Sequence, residues 1–373
     1  MQFSISKQSL LKELNLLQGV VEKKTTIPIL ANVLIEAEGK SGISMVATDL
    51  DVSLQTECTA DVTRPGSMVL QAKKLFDIVR NLPDAEIYFA KEDNYWARLT
   101  CGASEFKIVG QAKEHYPSTP QFTGESIALP APMLNGLIAR TGYAITQEES
   151  RYALSGSLFL LADGRLQMVA TDGHRLAWVA TALDESTSKV PTDQIRVIVP
   201  KKALGELQKL TAGSEEAVEF AKDENHLYFK MGPRQLTSRM LAGQFPNYDL
   251  VMPKNNDKIV HLNSETITQA IRRAALMADE RSHGVKFELA DGRLSITSQS
   301  ADVGEAKEVI PIDYNGDGIG IGFNAQYLLD FLAVVGSDEV ILELKDEQSP
   351  ALLRPPVSEP LDFKYVVMPM RLS

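Results

Sequence analysis

The pentapeptide Met-Val-Ala-Thr-Asp occurs twice in this chain, at residues 45–49 and again at 168–172. Each copy closes a segment that reads as a strand and runs into a polar turn. The surroundings repeat as well. After the first copy comes AKKLFDIVRNLPDAEIYFAK (72–91), and after the second PKKALGELQKLTAGSEEAVEFAK (200–222). Both read as a short helix opened by a lysine pair, then a turn, then a strand. A fainter third copy, NAQYLLDFLAVVGSDEVILELKD (324–346), has the same order. LADGRLSITSQS (289–300) parallels LADGRLQMVATD (161–172) almost residue for residue. Each unit opens with a longer helical pattern, at 6–24, 131–150 and 264–282; Leu10, Leu14, Leu17 and Val21 give the first an apolar stripe. Ser264 is the expected N-cap of the third. Alternating apolar and polar segments between the helices read as antiparallel strands. The chain is therefore α+β, three tandem similar domains, each with two helices and antiparallel sheets, bounded at 1–123, 124–257 and 258–373. Self-similarity at a fixed period of about 120 residues implies an array or a ring.

Charge fits that organisation. The net charge of −11 argues against a protein that is basic all over. Its distribution matters more than its sum. Positive charge gathers on the expected helices: Lys7, Lys12, Lys23 and Lys24 on the first, Lys73, Lys74 and Arg80 on the second, Lys201, Lys202 and Lys209 on the fourth. Strands and loops carry the acidic remainder. This suits a helical face turned towards a polyanion; surface lysines on ordinary solvated helices are the plainer explanation. The third unit is the most acidic, which suits a head-to-tail contact with the first unit of another copy. Two cysteines are too few for a disulfide framework and point to a reducing cytoplasm. There is no long apolar run and no signal-peptide pattern, so no membrane association is expected.

Six segments together carry a specific resemblance along essentially the whole chain: TIPILANVLIEA (26–37), RYALSG (151–156), VATDGHRLA (169–177), FPNY (245–248), GFNAQYLLDFL (322–332) and YVVMPMRL (365–372), set on the threefold repeat. The chain resembles the bacterial DNA polymerase III β subunit family, the β sliding clamps. The resemblance implies the DNA-clamp fold and a head-to-tail homodimer forming a six-domain ring lined by helices. It implies a processivity factor that encircles duplex DNA without reading sequence. Twelve helices spaced ~9 Å apart have a circumference of about 108 Å and a diameter near 34 Å, room for a duplex after helix thickness is subtracted.

The resemblance also implies sites. Replicative DNA polymerase, clamp loader and repair polymerases would insert short linear peptides into a pocket between the second and third domains. The matching residues are Leu154, Thr171, Gly173, His174, Arg175, Leu176, Pro246, Val251, Asn324, Tyr327, Val366, Val367, Met368, Pro369, Met370 and Arg371. The aliphatic members make a trough, while His174, Arg175 and Arg371 give polar edges. Taken alone, VVMPM fits a buried last strand equally well. The DNA-contacting positions are Lys24, Lys73 and Tyr152, with Lys201 near the hole. The dimer contact falls on Phe106, Leu276 and Met277, with Lys74 and Arg98 facing Asp302, Glu305 and Glu308. The chain departs from the family pattern at Lys24, Ala153 and Leu250.

No catalytic residue, metal or cofactor is expected. Asp172 and His174 imitate a dyad, but no nucleophile motif accompanies them. DYNGDG (313–318) imitates the start of a calcium loop, but Asn324 stands where a bidentate glutamate is needed. Gly316, Gly318, Gly320 and Gly322 lack the strand–loop–helix setting of a nucleotide fingerprint. The rival reading is an enzyme on a repeated scaffold, which requires a convergent titratable cluster.

Overall fold

The computed structural model describes residues 1–22, 26–122, 124–148, 150–183, 194–357 and 360–372. The helices are α1 (Lys7–Val20), α2 (Ala72–Asn81), α3 (Ala131–Thr141), α4 (Lys201–Thr211), α5 (Ser264–Ala275) and α6 (Ala325–Leu332). Each repeat contributes two helices; the opening one is the longer in the first and third repeats, and the two are equal in the second. The opening helices are shorter than the sequence pattern suggested. α1 is capped by Ser6, whose Oγ accepts the Ser9 N–H at 3.2 Å, and Leu10, Leu14 and Leu17 are buried beneath it. It stops at Val20 because Val21 has turned to extended backbone. α3 stops at Thr141, whose hydroxyl donates back to the Leu137 carbonyl at 2.9 Å; the chain then passes into a 3-10 turn, Gly142–Ala144. The cap of α5 is Asn263, one residue before the expected Ser264. Its side-chain oxygen accepts the Thr266 N–H at 2.9 Å, whereas Ser264 is already helical and donates to the Ser337 carbonyl at 2.6 Å.

The described chain packs as two compact units. The first holds the described residues of 1–135 and 202–240. Its backbone is a 13-stranded antiparallel sheet, with α1 and α2 packed on it. Val52–Thr59, from the first repeat, pairs with Arg234–Arg239, from the second, setting Ser53 opposite Thr237. The second unit holds the described residues of 136–201 and 241–372. It contains an eight-stranded and a four-stranded antiparallel sheet. There Arg175–Ala182, from the second repeat, pairs with Asp362–Val367, from the third, setting Leu176 opposite Val366. Successive repeats are thus sewn together by the same strand pairing in each unit.

In the first unit a buried ion pair crosses the seam. Glu13 of α1 is 5% exposed. It accepts Arg234 Nε at 2.8 Å and also the Thr56 hydroxyl. Burial pushes the Glu13 carboxyl up, but the bonds from Arg234 and Thr56 outweigh it and hold the group below its ordinary range. Cys58, close by, is pushed up to about 12 by burial and by the Glu13 charge.

Candidate functional site

The Thr-Asp pair of each repeated pentapeptide builds the same turn. In the second copy, Thr171 Oγ1 donates to the Arg175 carbonyl at 2.6 Å and accepts the Gly173 N–H at 3.0 Å. Asp172 Oδ1 accepts the N–H groups of His174 and Arg175 at 2.9 and 3.0 Å. In the first copy, Thr48 Oγ1 donates to the Val52 carbonyl and accepts the Leu50 N–H. Asp49 Oδ1 accepts the N–H groups of Asp51 and Val52. The residue after each Asp has positive φ, +81° at Leu50 and +88° at Gly173. Leucine is strained there and glycine is not. The sheet contact beyond the turn repeats too: Met368 N–H donates to the His174 carbonyl at 2.9 Å, and Arg239 N–H to the Asp51 carbonyl at 2.8 Å. The repeated pentapeptide is therefore a hairpin-closing device. In the second copy one carboxylate oxygen of Asp172 is committed to backbone amides and the other to the Arg175 guanidinium, which disposes of the Asp172–His174 dyad.

The two copies differ in what surrounds the turn. Around the second, Leu158, Leu160, Val169, Leu176, Ile198, Phe245, Tyr248, Leu352 and Val366 form one apolar cluster. Leu154, Ala153, Leu241, Trp178 and Met252 pack against it. Around the first, the corresponding cluster shrinks to Leu34, Val46, Val69 and Tyr116, with Ile29. The positions across the seam are Ser53 and Thr237 instead of Leu176 and Val366. Among the described residues, the apolar cluster beside the second turn is the larger of the two.

The expected pocket residues all lie in the second unit. Leu176, Val366 and Val367 are buried, and Leu154 is half-buried. Thr171, Asn324, Tyr327, Pro369 and Met370 are also half-buried, while Gly173, His174, Pro246, Val251, Met368 and Arg371 are exposed. VVMPM is thus partly a buried strand end, Val366–Val367, and partly an accessible segment, from Met368 on. Met370 N–H donates to the Gly322 carbonyl at 2.9 Å. A Cβ on Gly322 would lie 2.4 Å from the Met370 carbonyl oxygen, so glycine is required for the tail to lie flat. That explains one member of the alternating glycines, and sequence reasoning missed it. Asn324 caps α6, its Oδ1 accepting the Gln326 N–H at 2.9 Å. Leu250 is 81% exposed, two residues after the buried Tyr248.

Arg175 is not a free polar edge. Its side chain is 10% exposed. Nε donates to Asp172 Oδ2 at 3.0 Å, Nη1 to Asp330 Oδ2 at 2.5 Å and Nη2 to the Tyr143 carbonyl at 2.7 Å. The guanidinium also lies 4.4 Å from the Tyr327 ring centroid and 5.4 Å from that of Tyr143. Burial opposes its charge, but the Tyr365 hydroxyl, Asp330 and Asp172 more than compensate and hold it firmly protonated. Tyr143, Tyr365 and Asp330 complete this cage and were not foreseen. Arg151 donates to the Asp172 carbonyl at 2.6 Å from the outside.

Of the DNA-contacting positions, Lys24 lies outside the described residues. Lys73 is exposed on α2, Tyr152 is exposed on the 3-10 turn Tyr152–Leu154, and Lys201 is exposed at the start of α4. Burial and the Arg175 charge lower the Lys201 pKa. The dimer positions fall on two sheet edges. Ser104–Gln111 pairs along its length with Trp96–Cys101, but on its other side only Gly110 and Gln111 are paired. Phe106 is exposed there. Gly304–Pro311 is the outer strand of the four-stranded sheet; it carries Glu305 and Glu308, with Asp302 just before it. Leu276, 73% exposed, and the half-buried Met277 follow α5. Lys74 is exposed on α2. Arg98 is paired with Glu92 and Glu105, and Glu308 with Arg273 at 2.7 Å, all within the chain.

Family models for the DNA polymerase III beta subunit match the chain in order: the N-terminal domain over residues 1–120, the central domain over 128–247 and the C-terminal domain over 249–371. The chain is 35% identical over 375 residues to the beta sliding clamp of Pseudomonas aeruginosa, covering 100% of both. It is 35% identical over 380 residues to that of Caulobacter vibrioides, again covering 100% of both. Its fold superposes on the crystal structure of the P. aeruginosa DNA polymerase III subunit beta with a TM-score of 0.92 at 35% identity, and on the Bacillus subtilis sliding clamp with 0.93 at 30%, each over 100% of both chains. The chain, with its three repeated α+β domains, belongs to the DNA polymerase III beta subunit family of sliding clamps.

Proposed function

We propose that this chain is the processivity clamp of a replicative DNA polymerase, a non-catalytic ring closed by two copies head to tail around duplex DNA in the cytoplasm. The observation that carries the reading is the end-to-end match to sliding clamps. Each copy supplies three domains, 1–123, 124–257 and 258–373. The open edge of Ser104–Gln111 in one copy pairs with the open edge of Gly304–Pro311 in the other. Phe106 packs against Leu276 and Met277, so apolar burial rather than exposed ion pairs holds the contact. Lys24, Lys73, Tyr152 and Lys201 touch phosphates and backbone, which favours sliding because such contacts carry no sequence.

The trough beside Thr171–Arg175 and below Met368–Met370 receives short linear peptides of the polymerase, clamp loader and repair polymerases. Apolar side chains enter over Leu154, Leu176 and Val366, while His174 and Arg371 orient the peptide from the rim. Methionines suit a surface that serves several partners. The test is topological. The protein is loaded onto nicked circular DNA with a bacterial clamp loader and ATP, and the DNA is then linearised. Retention on the circle and loss from the linear form is expected; equal retention on both refutes a closed ring.

A further inference from the structure

We infer that Asp330 is a positioning residue of the peptide trough: it sets the shape of the Thr171–Arg175 wall through Arg175 without touching the peptide. This inference rests on the trough being the partner site. Asp330 lies on α6, and its Oδ2 meets Arg175 Nη1 at 2.5 Å across 155 residues of sequence. Its other oxygen accepts Gln326 Nε2, one turn earlier on the same helix, at 2.7 Å. The carboxylate is thus oriented from its own helix and aimed at the guanidinium.

Arg175 sits where three parts of the wall meet. Its backbone N–H is the last amide gathered by Asp172 in the turn. Its Cα is paired with Val367, the residue before Met368. Its side chain stacks on Tyr327, on α6 beside the Asn324 cap. Asp172 belongs to the same turn and moves with it. Asp330, the Tyr143 carbonyl and the Tyr365 hydroxyl are the polar anchors from elsewhere in the chain, and Asp330 is the charged one. Removing its charge leaves a 10%-exposed guanidinium facing a single carboxylate. The turn then loses its charged external anchor, and Gly173 and His174 shift relative to Met368.

The experiment measures binding of a fluorescein-labelled synthetic peptide, carrying two leucines and a terminal phenylalanine, to the full-length dimer. The variants are Asp330→Asn, Asp330→Glu, Arg175→Gln and the pair Arg175→Gln with Asp330→Asn. Asp330→Asn is expected to weaken binding about tenfold, the scale of one charge-assisted hydrogen bond. Asp330→Glu recovers most of the affinity. The double variant binds no worse than Arg175→Gln alone, because both changes act on one anchor. Melting temperature and retention on circular DNA separate this from unfolding, and Asp330→Glu carries the comparison if Asp330→Asn fails to fold. Wild-type affinity in Asp330→Asn, with Met368→Ala weakened, overturns the positioning role and leaves the trough intact. A wild-type protein that does not bind, or Met368→Ala without effect, refutes the trough itself and this role with it.

Discussion

Breaking the Glu13–Arg234 pair from one side is expected to cost far more than removing it whole. Glu13 is 5% exposed, and its carboxylate takes bonds from Arg234 and Thr56. In Arg234→Met the carboxylate keeps only the threonine hydroxyl. A buried charge deprived of its partner costs about 3–5 kcal/mol. Glu13→Gln leaves the guanidinium unpaired and should cost a similar amount. In Glu13→Leu with Arg234→Met neither charge is buried, and the net change is expected within about 1 kcal/mol of zero. A chain of three domains does not unfold in one step. The readout is therefore native-state hydrogen exchange on the amides of Val52–Thr59 and Arg234–Arg239, the strands that carry Thr56 and Arg234. The pH dependence has a definite sign. The Glu13 pKa is lowered on folding, so its stabilisation is complete above the ordinary carboxylate range and is lost as pH falls through the lowered value. The wild type's advantage over Glu13→Gln should fade on acidification. The reasoning is refuted if the double variant loses the sum of the two single losses, or if either single loss is below about 1 kcal/mol.

Four other outcomes are expected. Gly173→Ala forces a side chain to φ +88° and puts Cβ 2.9 Å from Arg151 Nη1; it should cost about 1–2 kcal/mol by native-state hydrogen exchange on the amides of Arg175–Ala182 and weaken peptide binding. Leu50→Gly relieves the same strain at φ +81° but adds unfolded-state entropy, so its stability change should stay within about 0.5 kcal/mol of zero. Cys58, its thiol held up near pKa 12, should resist iodoacetamide at pH 8 and react faster in Glu13→Gln, as read by mass spectrometry. Lys73→Ala and Lys201→Ala should each lower the salt slope of DNA binding by about one charge while leaving any sequence dependence unchanged.

Local periodicity made the helices legible and long-range contacts hid much of the rest. The stripe of Leu10, Leu14 and Leu17 located α1, but the pattern ran past Val20 because apolar spacing does not report where the backbone turns. The cap of α5 was misplaced by one residue because serine and asparagine are both good caps, and the Asp338 and Ser337 carbonyls decided between their roles. At the site, Leu176 and Val366 could be placed from motifs, yet the cage of Arg175 could not. Asp330 and Tyr143 meet it from 155 and 32 residues away, and no spacing rule links them. The role of Gly322 was hidden for the same reason: what approaches it is the last few residues of the chain.

The polar pair Ser53–Thr237, opposite one another where the next seam has Leu176–Val366, has a consequence for valency. The first seam repeats the turn and strand pairing but presents hydroxyls where an apolar side chain would have to land. On the proposed reading each chain then offers one docking seat, and a closed pair offers two. Two clients can ride one clamp together, and a third must wait for a seat to empty.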